Sequence, residues 1–200
     1  AVLAKSGAGK SYTVGVLIEE ILEKKIPLLI IDPHGEYSSI AKKNEEDKEK
    51  LATYGLTPKG YQIREYGDPK VNKGVIPLKL TKKITDSELV HLLPTKLSST
   101  QLGLLYSSLK NIQELNFNEL LLELHKEESS AKWNIINVIE YLNDIGIFSD
   151  SPTPYNELIQ PGTCSIINVK GMAPELQQII AYKLCKDLFE LRKQNKIAPF

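Results

Sequence analysis

Apolar residues recur at helical spacing near the start of the chain and then form a short uninterrupted run. The positions at helical spacing are Val14, Leu17, Ile18, Ile21 and Leu22. A period of three to four residues is typical of a helix that packs on one side, so we predict a helix over residues 10–25. The run LLII at 28–31 ends in Asp32, which is typical of a buried parallel strand. Pro33 and Gly35 predict that this strand ends there.

The rest of the chain divides into a polar and helical middle and a return to an α/β pattern. Further strands are predicted over 1–4, 61–64, 75–78 and 165–169, and further helices over 86–93, 98–114, 117–127, 132–145 and 174–195. The charged run at 41–50 predicts a solvated helix face or a loop. Asp86 and Ser98 are predicted N-caps, and Gln101 completes a capping box with Ser98. Trp133 is predicted to pack in the core.

The order of these elements predicts the fold class. A strand, a helix and a strand are followed by a mostly helical segment and then by another strand and helix, which indicates an α/β parallel sheet flanked by helices, with a mostly helical insertion. We assign 1–40 and 160–200 to the core and 41–159 to the insertion in the same domain. Both ends of the sequence interrupt apolar segments, so we expect an excerpt of a longer protein whose core continues beyond residue 200.

Composition narrows the class of protein without identifying it. Lys plus Arg and Asp plus Glu number 25 each, so the net charge is zero and there is no bulk basic field for nucleic acid. No run of 18 apolar residues is present, so we expect no membrane partner and a cytoplasmic protein. Cys164 and Cys185 lack metal-type spacing, and each is expected to be a buried, reduced thiol.

The segment at 4–11, AKSGAGKS, nearly matches the phosphate-binding loop G-x-x-x-x-G-K-[ST], with Ala4 in place of the first glycine. Glycines allow positive φ and a close approach of the backbone to an anion, and the start of the following helix adds a positive dipole. The Lys10 ammonium is expected at the β- and γ-phosphates of ATP, and the Ser11 hydroxyl on Mg²⁺. The predicted nucleotide-binding residues are Ser6, Gly7, Ala8, Gly9, Lys10, Ser11 and Tyr12.

Two acidic residues follow the second strand. Asp32 lies at its carboxyl end, where ligands bind in open α/β sheets, and is predicted to hold Mg²⁺ or its water shell. Glu36 lies past the Pro33–Gly35 turn and is expected to reach the same crevice. The predicted catalytic residues are Lys10, Asp32 and Glu36. Because no Glu follows Asp32 directly, we interpret this strand as accessory to the main catalytic one.

Together these motifs resemble the HerA–FtsK superfamily, and within it the archaeal HerA type. The segments that carry the resemblance are AKSGAGKS at 4–11, LLIIDPHGEY at 28–37, KLSSTQLGLLYSSL at 96–109 and the stretch from 162 to 200. The resemblance implies a RecA-like P-loop ATPase that forms a homo-hexameric ring and moves along double-stranded DNA. It also implies work with a NurA-type nuclease in DNA end processing for recombinational repair. It places the family's Walker B acids and trans-acting arginine beyond Phe200.

Two other functions stay open on the sequence. One is a related motor of conjugation or secretion machinery, which shares the core but docks to a membrane channel. The other is a nucleotide-binding assembly module that does not hydrolyse ATP. The resemblance favours a DNA translocase or helicase.

Overall fold

The computed structural model describes Val2, Leu3, Lys5, Gly7 and residues 9–200. Helices among these residues are α1 (Lys10–Glu23), α2 (Lys48–Thr53), α3 (Asp86–Leu92), α4 (Ser99–Leu109), α5 (Phe117–Lys126), α6 (Lys132–Asp144), α7 (Tyr155–Leu158) and α8 (Pro174–Lys193), with a 3-10 turn at Ser38–Ala41. Strands are β1 (Leu28–Asp32), β2 (Gln62–Gly67), β3 (Ile76–Pro77), β4 (Leu80–Thr81), β5 (Phe148–Ser149) and β6 (Thr163–Asn168).

Four of these strands form a parallel sheet in the order β1–β6–β2–β3. The central strand β6 is buried along its whole length, as a central parallel strand is, although Thr163, Ser165 and Asn168 are polar. Its last residue, Asn168, lies beside Asp32 of β1 and Gly67 of β2, so three strand ends meet at one edge. β2 lies within the range 41–159 that the sequence assigns to the helical insertion, yet it pairs with β6 in this sheet.

The helix α1 packs on this sheet through one stripe of its surface. Ile18 and Leu22 of α1 form a buried cluster with Cys164 and Ile166 of β6 and with Ile40 of the 3-10 turn. Burial of each large aliphatic side chain contributes roughly 1.5–3 kcal/mol. Burial also raises the pKa of the Cys164 thiol to about 12, so this thiol stays protonated at neutral pH. Cys185 is exposed, so the expectation of a buried thiol is wrong at that position.

The chain separates into two compact units. The first comprises 1–78, 154–172 and 188–200 and contains the parallel sheet, and the second comprises 79–153 and 173–187. In the second unit, α4, α5 and α6 pack together around leucines and isoleucines that are fully buried. The two short strands β4 and β5 pair in parallel in the same unit.

Two predictions about the second unit are wrong in detail. Trp133 is 53% exposed in the first turn of α6, where its ring packs edge-to-face with the His125 ring and lies under the Lys132 ammonium. The N-cap of α3 is Thr85, since its hydroxyl accepts the N–H of Glu88 while the Glu88 carboxylate accepts the N–H of Thr85. Asp86 is therefore the first helical residue. The Ser98 capping box is confirmed.

Most of the predicted elements are present with shifted ends. β1 has the bounds that were predicted, whereas α4 ends at Leu109 rather than at residue 114. The strand predicted over 1–4 falls partly on residues outside those described. Val2 and Leu3 are described, and they are exposed and belong to no strand, since no described strand pairs with them. Within the described part of the chain, every helix is too short or too polar to cross a bilayer.

Candidate functional site

The glycines of the phosphate-loop segment have the backbone conformation that the motif requires. Gly7 and Gly9 have φ values of 77° and 82°, in the left-handed region that favours glycine. Gly9 is the N-cap of α1, and the helix begins at the next residue. Ala4, Ser6 and Ala8, two of which are predicted to bind nucleotide, lie outside the described residues.

The first residues of α1 carry the side chains predicted to meet the phosphates and the metal. The Lys10 ammonium donates to the carbonyl oxygen of Lys5 at 2.9 Å, which folds it back over the loop. The Ser11 hydroxyl donates to the Glu36 carboxylate at 2.5 Å, across 25 residues of sequence. Tyr12 is 70% exposed next to them, as a side chain free to stack on a ligand must be. The structure thus brings Ser11 and Glu36 together.

Asp32 shapes the loop after β1. Its carboxylate is 1% exposed and accepts four backbone N–H groups. Oδ1 accepts from His34 at 3.0 Å and Gly35 at 2.8 Å. Oδ2 accepts from Glu36 at 2.8 Å and Tyr37 at 3.2 Å. The loop therefore wraps around this carboxylate, and the Glu36 side chain leaves it toward α1.

Three further polar residues near these strand ends, Ser38, Glu65 and Asn168, were missed by the sequence analysis. The Glu65 carboxylate accepts from the Asn168 amide at 2.6 Å and from the Ser38 hydroxyl at 2.9 Å. Asn168 is a polar residue at the carboxyl end of a predicted buried strand, so the rule that drew attention to Asp32 applies to it as well. Glu65 carried no such signal, because its partner Asn168 is 103 residues away in sequence.

Burial and charge also affect the phenol at the end of this loop. Burial of the Tyr37 hydroxyl raises its pKa, and the charges of Glu36 and Asp32 raise it further. The phenol therefore stays protonated at neutral pH.

The arrangement fits Mg²⁺ with a bound nucleotide. A hydroxyl and a carboxylate are oxygen ligands of the kind that Mg²⁺ prefers, and Mg²⁺ usually takes one or two protein oxygens together with phosphates and water. The left-handed glycines and the start of α1 offer backbone N–H groups and a positive dipole to a phosphate. Lys10 supplies a cation at the same helix end.

Comparison with known proteins identifies the family. The family model described as "Helicase HerA, central domain" matches residues 1–188. The DNA double-strand break repair helicase HerA of Sulfurisphaera tokodaii is 28% identical over 98% of this chain and 40% of its own length. A probable DNA double-strand break repair helicase HerA of Methanocaldococcus jannaschii is 40% identical over 58 residues, which are 29% of this chain and 12% of that protein. The chain thus spans less than half the length of these curated relatives.

A solved structure supports the fold independently. VirB4 of Thermoanaerobacter pseudethanolicus superposes with a TM-score of 0.59 at 14% sequence identity, over 95% of this chain and 56% of that one. At this identity the likeness shows the fold alone, which is the α/β fold with a parallel sheet flanked by helices. With the family model covering nearly the whole sequence, the chain belongs to the family of the HerA helicase central domain.

Proposed function

We propose that this chain binds ATP and Mg²⁺ and is the motor domain of a DNA translocase or helicase. The observation that carries the proposal is the hydrogen bond between Ser11 and Glu36 at the start of α1. It joins the residue that the phosphate-loop motif assigns to the metal with a carboxylate from the loop after β1. Membership of the HerA helicase family supports the same function.

Each residue of the site has a proposed role. Lys10 contacts the β- and γ-phosphates, and Ser11 ligates Mg²⁺. Tyr12, exposed in the first turn of α1, faces the nucleotide. Gly7 and Gly9 shape the loop around the phosphates, and Ser6 and Ala8 are proposed to bind the nucleotide. Glu36 supplies an acidic side chain beside Ser11, on the loop that Asp32 organises.

The whole protein is proposed to act as a homo-hexamer on double-stranded DNA in the cytoplasm. Its work is DNA end processing for recombinational repair, alongside a NurA-type nuclease. The repair role is supported by the names of the relatives from Sulfurisphaera tokodaii and Methanocaldococcus jannaschii. Neighbouring subunits are proposed to share each nucleotide.

The test is ATP hydrolysis by the full-length protein, with and without linear double-stranded DNA. We expect DNA to stimulate turnover several-fold. Lys10→Ala should lower the stimulated rate by about 100-fold or more, since removal of one preorganised charge donor costs that much in comparable sites. Lys24→Ala, which removes an exposed lysine just beyond the other end of α1, is the matched control and should leave the rate unchanged.

Each other outcome points elsewhere. Stimulated turnover that persists in Lys10→Ala would overturn the proposal. Strong hydrolysis that ignores DNA would favour a motor of the conjugation or secretion type. Nucleotide binding without any hydrolysis would favour an assembly module.

A further inference from the structure

The carboxylate of Asp32 has no acceptor site left for a metal or for a metal-bound water. An ionised carboxylate offers about four lone-pair sites. All four are used by the backbone N–H groups of residues 34–37, at distances between 2.8 and 3.2 Å. The side chain is also 1% exposed. A magnesium ion could therefore reach Asp32 only if the loop around it came apart.

These four bonds have a different consequence, which is to set the position of Glu36. The Glu36 N–H is tied to Asp32 while its side chain accepts the Ser11 hydroxyl. Gly35 has a φ of 69°, and a Cβ there would lie 3.1 Å from the Lys170 side chain, so the loop packs closely on the residues after β6. The backbone on the amino side of Glu36 is thus held by Asp32 and by close packing.

The carboxyl side of the same residue is held as well. Ser38 donates to Glu65, and Glu65 accepts from Asn168 at the end of the central strand. Glu36 therefore lies in a loop that is fixed on both sides, and its side chain meets Ser11. Its carboxylate, unlike that of Asp32, is exposed and has only one hydrogen-bond donor among the described residues, the Ser11 hydroxyl.

We infer that Asp32 is a positioning residue, which holds Glu36 against Ser11, and that of these two acids it is Glu36 that supplies a carboxylate to the magnesium shell. This differs from the metal-binding role that the sequence analysis expected for Asp32. The inference rests on the proposed function, because it needs a Mg²⁺–nucleotide complex at Ser11.

The test is a double-mutant cycle on the full-length protein. Binding of the fluorescent analogue mant-ATP is titrated with Mg²⁺ for the wild type, Asp32→Asn, Glu36→Gln and the double variant, with the exposed Asp144→Asn as the matched control. Glu36→Gln is expected to raise the half-saturating Mg²⁺ concentration by about tenfold, as loss of an outer-shell partner does in metal sites. Asp32→Asn should raise it by no more than that, and the double variant should match Glu36→Gln within about twofold.

Independent effects would overturn the inference. If Asp32 held the metal or its water itself, the two effects would multiply, to about 100-fold in the double variant. Binding of mant-ATP in EDTA reports the phosphate loop and should be equal in all five proteins. A wild type that binds no mant-ATP with Mg²⁺ would overturn the proposed function, and the inference with it, whereas multiplied effects would overturn the inference alone.

Hydrogen exchange of the wild type keeps the inference testable even if Asp32→Asn does not fold. The amides of residues 34–37 should be protected without ligand and stay protected when Mg²⁺ and mant-ATP bind. A loss of their protection on binding would mean that Asp32 turns to the metal, and the inference would be wrong.

Discussion

The two compact units of this protein each bury a charge, and they neutralise it in different ways. Asp32 in the first unit is 1% exposed, and its carboxylate is surrounded by backbone N–H groups. Lys183 in the second unit is also 1% exposed, but its ammonium lies 2.7 Å from Glu88, 3.0 Å from Asp187 and 3.0 Å from the carbonyl oxygen of Lys83.

The difference lies in how far apart the partners are along the chain. The partners of Asp32 are two to five residues away, so this charge organises a short loop and little else. Glu88 and Lys83 are 95 and 100 residues from Lys183, so that charge holds α8 against α3 and the segment before it. We therefore expect the first charge to matter most for the site and the second to matter most for stability.

The largest expected effect tests whether the buried charge of Lys183 matters most for stability. Lys183→Met keeps the length of the side chain and leaves the buried Glu88 carboxylate without its main partner. Breaking a buried ion pair in this way costs about 3–5 kcal/mol, which urea unfolding followed by circular dichroism would measure. Lys186→Met is the matched control, since Lys186 is 32% exposed and lies 3.3 Å from the same carboxylate, and its loss should cost about 1 kcal/mol or less.

The double variant Lys183→Met/Glu88→Leu distinguishes the loss of the Lys183–Glu88 ion pair from the cost of leaving the Glu88 carboxylate buried without a partner. It should recover much of the stability, because no unpaired carboxylate remains buried there. Failure to recover would show that charge alone does not account for the loss, since packing around the Lys183 stem and the Glu88 half of the α3 capping box are lost as well.

A smaller loss of stability is expected when the carboxylate of Asp32 is removed. Asp32→Ala leaves the N–H groups of residues 34–37 without their acceptor, but the loop is only partly buried, so water can replace some of the bonds. We expect a loss of about 1–3 kcal/mol in the free energy of unfolding. Glu46→Ala, at an exposed glutamate in the same unit, serves as the control. A loss for Asp32→Ala as large as that for Lys183→Met would contradict the distinction between local and distant partners.

The same distinction explains how much of the fold could be read from the sequence. β1 is an apolar run that ends in Asp32, β6 has Ile166 and Ile167 at its centre and α1 has a clear apolar stripe, so these elements were predicted with nearly correct bounds. The strands β4 and β5 have two residues each, which is too short for any period to be detected. They form because Leu80 and Phe148 are brought together by the packing of the second unit.

The candidate site divides in the same way. Spacing within two short motifs, at 4–11 and at 28–37, was enough to select Ser11, Asp32 and Glu36 as candidates. Whether Asp32 faces a metal or its own loop depends on the backbone angles of the residues that follow it, and the sequence does not specify these. The pairing of Glu65 with Asn168 depends on the sheet order, which brings together residues 103 positions apart.

A change in stability of intermediate size is expected when the N-cap of α3 in the second unit is removed. Thr85→Ala removes the hydroxyl that accepts the N–H of Glu88 and should cost about 1 kcal/mol by urea unfolding. Asp86→Ala should cost less than that, because Asp86 is inside the helix and caps nothing. The reverse order would restore Asp86 as the N-cap, as the sequence pattern predicted.

The smallest expected effect is a pH dependence that comes from Glu88. Burial by itself raises the pKa of this carboxyl, but the hydrogen bond from Lys183 and its charge, with hydrogen bonds from the Thr85 N–H and from Lys186, outweigh burial and hold the pKa below its ordinary value of 4.5. Between the two pKa values, the unfolded state binds more protons than the folded state. The stabilisation that Glu88 contributes is therefore present above about pH 4.5 and is lost as the pH falls through the folded-state pKa. Thermal midpoints measured from pH 7 to pH 3 should therefore fall less steeply below pH 4.5 in Glu88→Gln than in the wild type. Parallel curves would show that the ion pair in the second unit does not respond to protonation of Glu88, and the contrast with Asp32 would then rest on distance along the chain alone.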